Sequence, residues 1–98
     1  MYAVVRETTY APDQALHDTP AFKKFQDAHA SRSGYRGTIV THLGAGRYVT
    51  VTLWATTGDM VAARDALGPV VQETLDPLMT EPSKLYGTGE VVFADVRS

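Results

Sequence analysis

The chain has 98 residues, with 9 Lys and Arg against 11 Asp and Glu, no cysteine and 44% hydrophobic residues. This length fits one domain with a single core, which we assign to residues 1–98. The formal net charge is −2 and both signs are scattered along the chain, so we expect no nucleic-acid binding. The apolar stretches are too short for a membrane span or a signal peptide. The lack of cysteine excludes disulfides and thiolate chemistry and fits a cytoplasmic protein.

The first predicted elements are a strand and an amphipathic helix. Residues Tyr2–Tyr10 are rich in β-branched and aromatic residues and contain neither Gly nor Pro, which favours a strand. Thr19 can cap a helix that begins at Pro20 and runs to about Ser31. The apolar residues of this helix recur at helical spacing, so one side of it should face a core.

The middle of the chain predicts a β-hairpin. Between Tyr35 and Thr56 the hydrophobic pattern changes to a period of two, and Gly44-Ala45-Gly46 divides it into two runs. Successive side chains of a strand point to opposite faces of the sheet. On the second run, one face therefore carries Tyr48, Thr50, Thr52 and Trp54, and the other carries Val49, Val51 and Leu53.

A second helix and a last strand complete the prediction. A helical pattern begins at Thr57-Gly58-Asp59 and is interrupted at Gly68-Pro69. Because proline inside a helix removes a backbone donor, we expect a kink or two short helices there. Near the C-terminus the strand pattern returns, and residues Val91 to Val96 should form the last element, with a bend or bulge at Gly87 and Gly89.

This order of elements is the βαββαβ order of ferredoxin-like α+β domains. Two helices can cover only one face of a four-stranded sheet, so the face with Val49, Val51 and Leu53 would leave an apolar patch in water. A second copy related by a two-fold axis would cover that patch, with the sheets facing each other and the helices outside. We therefore predict an obligate homodimer.

Two stretches resemble a known family. Gly34-Tyr35-Arg36-Gly37, followed by the run from Arg47 to Trp54 and a helix, is similar to the antibiotic biosynthesis monooxygenase family of dimeric α+β barrels. In that family a Pro-Gly-Phe or Pro-Gly-Tyr turn leads into the second strand, and the third strand closes with Trp; Ser33 stands here in place of the usual Pro. The superfamily includes cofactor-independent oxygenases of aromatic polyketides and quinols, and haem-degrading enzymes.

Candidate site residues lie on the predicted strands and the first helix. A face that mixes hydroxyls with aromatic rings suits a cleft for a flat ligand, so we expect Trp54 to act in catalysis and Tyr48, Thr50 and Thr52 to bind substrate. His29, near the end of the first helix, is within reach of such a pocket or meets the negative end of its helix. By resemblance, Glu7 is the candidate catalytic base; its alternatives are an exposed strand charge or an interface ion pair.

Two functional hypotheses follow. The first is a cofactor-free monooxygenase that oxidises a small aromatic or quinol-type compound. The second is a non-catalytic homodimer that binds a small hydrophobic ligand, or a scaffold whose cleft is filled by side chains. Haem degradation is not expected, because no His follows His42 and the first-strand position that the haem-degrading members fill with Asn aligns with Glu7. With no cysteine and no His pair at the spacing of a helical metal site, we expect no metal and no cofactor.

Overall fold

The computed structural model describes residues 1–97, which contain four strands and two α-helices. The strands are β1 (Tyr2–Thr9), β2 (Tyr35–Gly44), β3 (Arg47–Trp54) and β4 (Lys84–Glu90), and the helices are α1 (Pro20–Ala30) and α2 (Thr57–Thr74). The strands form one antiparallel sheet in the order β2-β3-β1-β4. This is the predicted βαββαβ arrangement, and the ferredoxin-like α+β fold is confirmed.

The start of α1 follows from local chemistry. Thr19 accepts a hydrogen bond from the backbone N–H of Phe22 at 3.2 Å through its Oγ1 atom, and Pro20 fills the first helical position, where its missing N–H leaves no hydrogen bond unmade. The helix ends at Ala30, one residue from the predicted end. The predicted cap and helix are therefore confirmed.

The hairpin between β2 and β3 closes through a two-residue turn. Both turn residues, Ala45 and Gly46, have positive φ angles, of 54° and 77°, as the tight turns that match the twist of paired strands require. Gly46 also packs against the backbone of Tyr10, where an added Cβ would lie 2.0 Å from the Tyr10 carbonyl oxygen. Only glycine fits this position, and the predicted hairpin is confirmed.

The second helix is continuous. α2 begins after Thr56, whose Oγ1 accepts from the N–H of Asp59 at 3.1 Å, and runs through Pro69 without a break. Pro69 has no N–H to donate to the carbonyl of Asp65, four residues earlier. Both residues lie on the exposed side of the helix, where water can donate to this carbonyl. The alternative of two short helices at Gly68-Pro69 is therefore wrong.

The last strand lies earlier than predicted. β4 spans Lys84–Glu90, and residues 91–97 form no strand. Its pairing with β1 ends where Glu90 lies opposite Tyr2, and the N–H of Val91 donates to the carbonyl of Met1 at 2.8 Å. The register shifts between Val5 and Arg6 of β1, so Tyr86 is the extra residue of a bulge next to Gly87.

Both helices pack on one face of the sheet. The core has two buried clusters, one of Tyr10, Leu16, Tyr48 and Leu75 and the other of Trp54, Ala63 and Leu67. We call the opposite side the open face; within this single chain Val5, Val49, Val51 and Leu53 are only partly buried there, and Ile39 is 44% exposed. In residues 1–97 no helix combines the length and hydropathy needed to cross a membrane.

Candidate functional site

A cavity of about 490 Å³ lies between the sheet and the two helices. This volume is within the range of about 300–1,000 Å³ that is usual for small-molecule sites. Its walls come from β1, β3 and β4 on the sheet side and from α1 and α2 on the helix side, and they are mostly apolar. Side chains therefore do not fill the cleft, whereas the scaffold hypothesis requires that they do.

Strand alternation decides which residues reach this cavity. Thr50, Thr52 and Trp54 of β3 line it, on the face that the sequence pattern predicts. On β1, Arg6 pairs directly with Thr50, and directly paired residues of antiparallel strands point to the same face. Arg6 therefore lines the cavity, and its neighbour Glu7 points to the open face.

Trp54 forms one end of the cavity. It is 2% exposed, and its ring meets that of Tyr35 edge to face, with centroids 5.7 Å apart. The imidazole of His29 also lies beside it, with a centroid distance of 6.1 Å. An aromatic wall packed against two neighbours offers a flat ligand a rigid stacking surface.

His29 lines the same cavity. Its Nδ1 atom lies 2.9 Å from the carbonyl oxygen of Phe25. A carbonyl can only accept a hydrogen bond, so Nδ1 carries the proton and Nε2 of the neutral ring holds a lone pair. Desolvation by burial lowers the pKa of His29 below its ordinary value of 6.5. The ring is therefore neutral at pH 7 and can accept a proton from a bound molecule.

The two threonines supply hydroxyl groups along the cavity floor. Thr50 and Thr52 line the cavity, and within residues 1–97 neither hydroxyl makes a hydrogen bond. Both hydroxyls are thus available to orient a polar group of a ligand.

Tyr48 closes the cavity rather than lining it. Its ring is buried, stacks on His42 at a centroid distance of 4.4 Å and meets Tyr10 edge to face at 5.7 Å. Its hydroxyl donates to the carbonyl of Gln14 at 3.2 Å. Tyr48 shares the predicted face, but it packs in the core with Tyr10 and Leu16 and does not line the cavity.

Glu7 also departs from its predicted position. It lies on the open face, 7% exposed, where its carboxylate accepts hydrogen bonds from Nε of Arg47 at 2.9 Å and from the hydroxyl of Tyr86 at 2.8 Å. The bond from Tyr86 and then that from Arg47 hold the pKa of Glu7 below its ordinary value of 4.5. Glu7 therefore does not line the cavity that Trp54 lines.

Arg6 is the charged cavity residue that the sequence analysis missed. Its Nη1 atom donates to Oγ of Ser83 at 3.3 Å, and among residues 1–97 no carboxylate pairs with it. The alternation of β1 already separates Arg6 from Glu7. The register of β1 against β3, which the sequence does not reveal, decides which of the two turns inward.

No cluster in residues 1–97 brings together three or more His, Cys, Asp or Glu side chains that could hold a metal ion. Near Trp54, the cavity is walled by aromatic and aliphatic side chains together with the neutral imidazole of His29 and the two threonines. The chemistry that this arrangement can supply is stacking, hydrogen bonding and proton transfer.

No protein-family model matches this sequence, and no curated protein matches it. Solved structures match the fold. A mutant of SnoaB from Streptomyces nogalater, a cofactor-independent oxygenase, aligns with a TM-score of 0.75 and 16% identity over 95% of this chain and 94% of that chain. A "putative antibiotic biosynthesis monooxygenase" from Nitrosomonas europaea gives 0.73 and 17% identity over 95% and 100%. NE2512, a protein of unknown function from the same organism, gives 0.75 and 12% identity over 99% and 94%. The resemblance to the antibiotic biosynthesis monooxygenase family is thereby confirmed in the fold.

Proposed function

We propose that this chain, with the fold of the antibiotic biosynthesis monooxygenase proteins, is a cofactor-independent monooxygenase. Its substrate would be a small electron-rich aromatic compound, such as a phenol, a quinol or an anthrone of the polyketide type. The observation that carries the proposal is the neutral imidazole of His29, which faces an apolar cavity beside Trp54. The similarity of the fold to SnoaB, described as a cofactor-independent oxygenase, supports it.

The proposed reaction needs a base, an apolar enclosure and molecular oxygen. For an anthrone, Nε2 of His29 takes a proton from the activated CH2 carbon, and the carbanion passes one electron to O2. The substrate radical and superoxide then combine into a peroxide. After it is protonated, the peroxide loses water and leaves a ketone. One oxygen atom enters the product, and the other leaves in water with the two hydrogens of the CH2 group.

The cavity residues have separate roles in this reaction. Trp54 provides the stacking surface for the ring system, and the hydroxyls of Thr50 and Thr52 orient its oxygen substituents. The apolar walls exclude water from the carbanion, which would otherwise be protonated again. His29 is the proposed base in place of Glu7.

We also propose that the protein is a homodimer, joined through the open face. An uncovered apolar sheet face with Ile39 44% exposed is unusual in a monomer. The tail that follows β4 exposes further apolar side chains, with Val92 91% and Phe93 83% exposed. The buried charge on this face, Glu7, is already paired with Arg47. A second copy could therefore cover this part of the face without burying an unpaired carboxylate.

The dimer proposal is tested by sedimentation at micromolar concentration. Leu53→Asp places a charge on the open face and should convert dimers into monomers. The matched control, Ala62→Asp on the exposed side of α2, should leave the dimer intact. A wild-type protein that sediments as a monomer would contradict the proposal.

The reaction is tested by oxygen uptake with a panel of hydroquinones and anthrones. We expect one O2 consumed per molecule of anthrone, and one atom of ¹⁸O from labelled O2 in the product. His29→Gln should lower kcat/KM at least about a hundredfold, the usual contribution of a general base. His17→Gln, which changes an exposed histidine, should leave it unchanged. If the panel gives no uptake above buffer, the proposal fails, and ligand binding without turnover becomes the better description.

A further inference from the structure

We infer that the cavity takes an aromatic acid and that the guanidinium of Arg6 binds its carboxylate. This inference rests on the proposed function, since it names the substrate class of the same cavity. It starts from Arg6 itself, a partly buried cation in the cavity wall whose polar contact is the Ser83 hydroxyl at 3.3 Å. A guanidinium has five N–H donors, so most of the hydrogen-bonding capacity of this cavity residue is unused within residues 1–97.

The other charges of the cavity do not neutralise Arg6. Arg64 lies at the rim, where it is mostly exposed and already contacts Asp65 at 3.4 Å. Asp76 also lies at the rim, exposed to water, and it forms no ion pair with Arg6 within residues 1–97. His29 is neutral. The interior of the cavity therefore carries one positive charge without a matching negative one.

The position of Arg6 contrasts with that of Arg47 on the opposite face of the sheet. Arg47 binds the carboxylate of Glu7 through Nε and Nη2, and the fold supplies that anion. For Arg6 the fold supplies only a neutral hydroxyl. An anion that belongs to the ligand would complete the same kind of pair in the cavity.

The single charge favours a carboxylate. One guanidinium matches the planar, bidentate geometry and the single negative charge of a carboxylate. A phosphate monoester carries close to two negative charges at pH 7, and the interior offers no second cation. Apolar walls strengthen this pairing because they lower the local dielectric constant.

The spacing along the sheet indicates the size of the acid. Arg6 lies opposite Thr50, and Trp54 lies four residues further along β3, which corresponds to roughly 13 Å of strand. A ligand that stacks on Trp54 and also meets Arg6 must bridge much of this length. Two or three fused rings with a terminal carboxylate fit that requirement, and benzoate does not.

The test measures binding, without turnover, of anthraquinone-2-carboxylate and its neutral carboxamide. Titration calorimetry gives the affinities, and quenching of Trp54, the single tryptophan of the chain, reports binding in the cavity. Wild type should bind the carboxylate at least about tenfold more tightly than the carboxamide, the size of one charge-assisted hydrogen bond. Arg6→Gln should remove this preference and leave carboxamide binding unchanged, which also shows that the variant is folded.

Arg64→Gln is the matched control, because it removes one positive charge from the cavity rim and should keep the preference. Arg6→Lys keeps the charge without the planar fork and should reduce the preference. If Arg6→Gln does not fold, the result with Arg6→Lys decides the test. The inference is overturned if wild type shows no preference, if neither compound binds, if the preference survives in both Arg6 variants, or if Arg64→Gln reduces it equally. A preference for the carboxylate without oxygen uptake would overturn the proposed reaction alone, and uptake without the preference would overturn this inference alone.

Discussion

The two faces of the sheet use charge in opposite ways, and the change occurs between two adjacent residues of β1. Arg6 turns towards the helices, into an apolar cavity where the fold gives it only a hydroxyl partner. Glu7 turns to the open face, where Arg47 and Tyr86 bind its carboxylate. The carboxylate on the open face thus has a charged partner, whereas the guanidinium of Arg6 on the cavity side has none within residues 1–97.

This difference separates stability from chemistry. The helix side combines the aromatic wall of Trp54 with a neutral His29. These groups can bind an aromatic compound and take a proton from it. The open side combines apolar strand residues with a paired carboxylate, which suits a surface that another chain covers. Variants on the two faces should therefore change different measurements.

The largest effect on stability is expected from Trp54→Ala. Removal of a buried tryptophan leaves a large void, and such changes cost about 3–5 kcal/mol in the free energy of unfolding. With both changes made in the monomeric Leu53→Asp background, Ile39→Ala on the open face should cost clearly less, since Ile39 is 44% exposed in the single chain. Urea unfolding followed by circular dichroism measures both. Equal losses would show that the two faces are equally important to the core.

Glu7→Gln should lower stability in a pH-dependent way. The pKa of Glu7 is lowered in the folded protein, so its ionised form stabilises the fold above the ordinary pKa of 4.5, and this contribution is lost as the pH falls through the lowered value. In urea unfolding, the variant should have a lower free energy of unfolding than wild type at pH 7. The difference between the two proteins should shrink as the pH is lowered.

Glu73→Gln is the control for this measurement. The hydrogen bond from Lys24 lowers the pKa of Glu73 as well, but both side chains are mostly exposed, and such surface pairs contribute little. If Glu73→Gln had the larger effect, the Glu7 pair would not have the structural role assigned to it.

The pH dependence of turnover should follow His29. Its pKa is lowered below 6.5 by burial, so kcat/KM should fall in acidic solution, where the ring becomes charged, with a midpoint below pH 6.5. A midpoint above pH 6.5 would contradict the neutral, desolvated ring.

Thr19→Ala should have the smallest effect. Loss of the cap of α1, the helix that carries His29, should cost about 1 kcal/mol. Thr57→Ala, an exposed threonine at the start of α2, should cost less. Thermal unfolding compares the two, and equal costs would mean that the Thr19 hydroxyl does not stabilise the helix.

The features that the sequence predicted depend on local rules. The cap at Thr19 and the turn at Ala45-Gly46 require only neighbouring residues, and the face of β3 that carries Trp54 follows from strict alternation. The last strand was predicted, but its main part was placed too late in the chain. Residues 91–97 contain strongly strand-forming residues, yet pairing with β1 ends at Glu90 and they form no strand.

The same reasoning explains the partial prediction of the site. Alternation shows that Arg6 and Glu7 face opposite ways, but only the pairing of Arg6 with Thr50 shows which one enters the cavity. Tyr48 shares a face with Trp54 and is nevertheless covered by Tyr10 and Leu16, a packing arrangement that joins distant parts of the chain. Position on a face was thus predictable, while access to the cavity was not.

The most direct test of the account compares oxygen consumption by wild type, His29→Gln and Glu7→Gln on one anthrone, with each variant shown to be folded. The account predicts that wild type and Glu7→Gln consume oxygen at similar rates and that His29→Gln is nearly inactive. Activity that survives in His29→Gln and is lost in Glu7→Gln would contradict it, since the base would then lie on the open face.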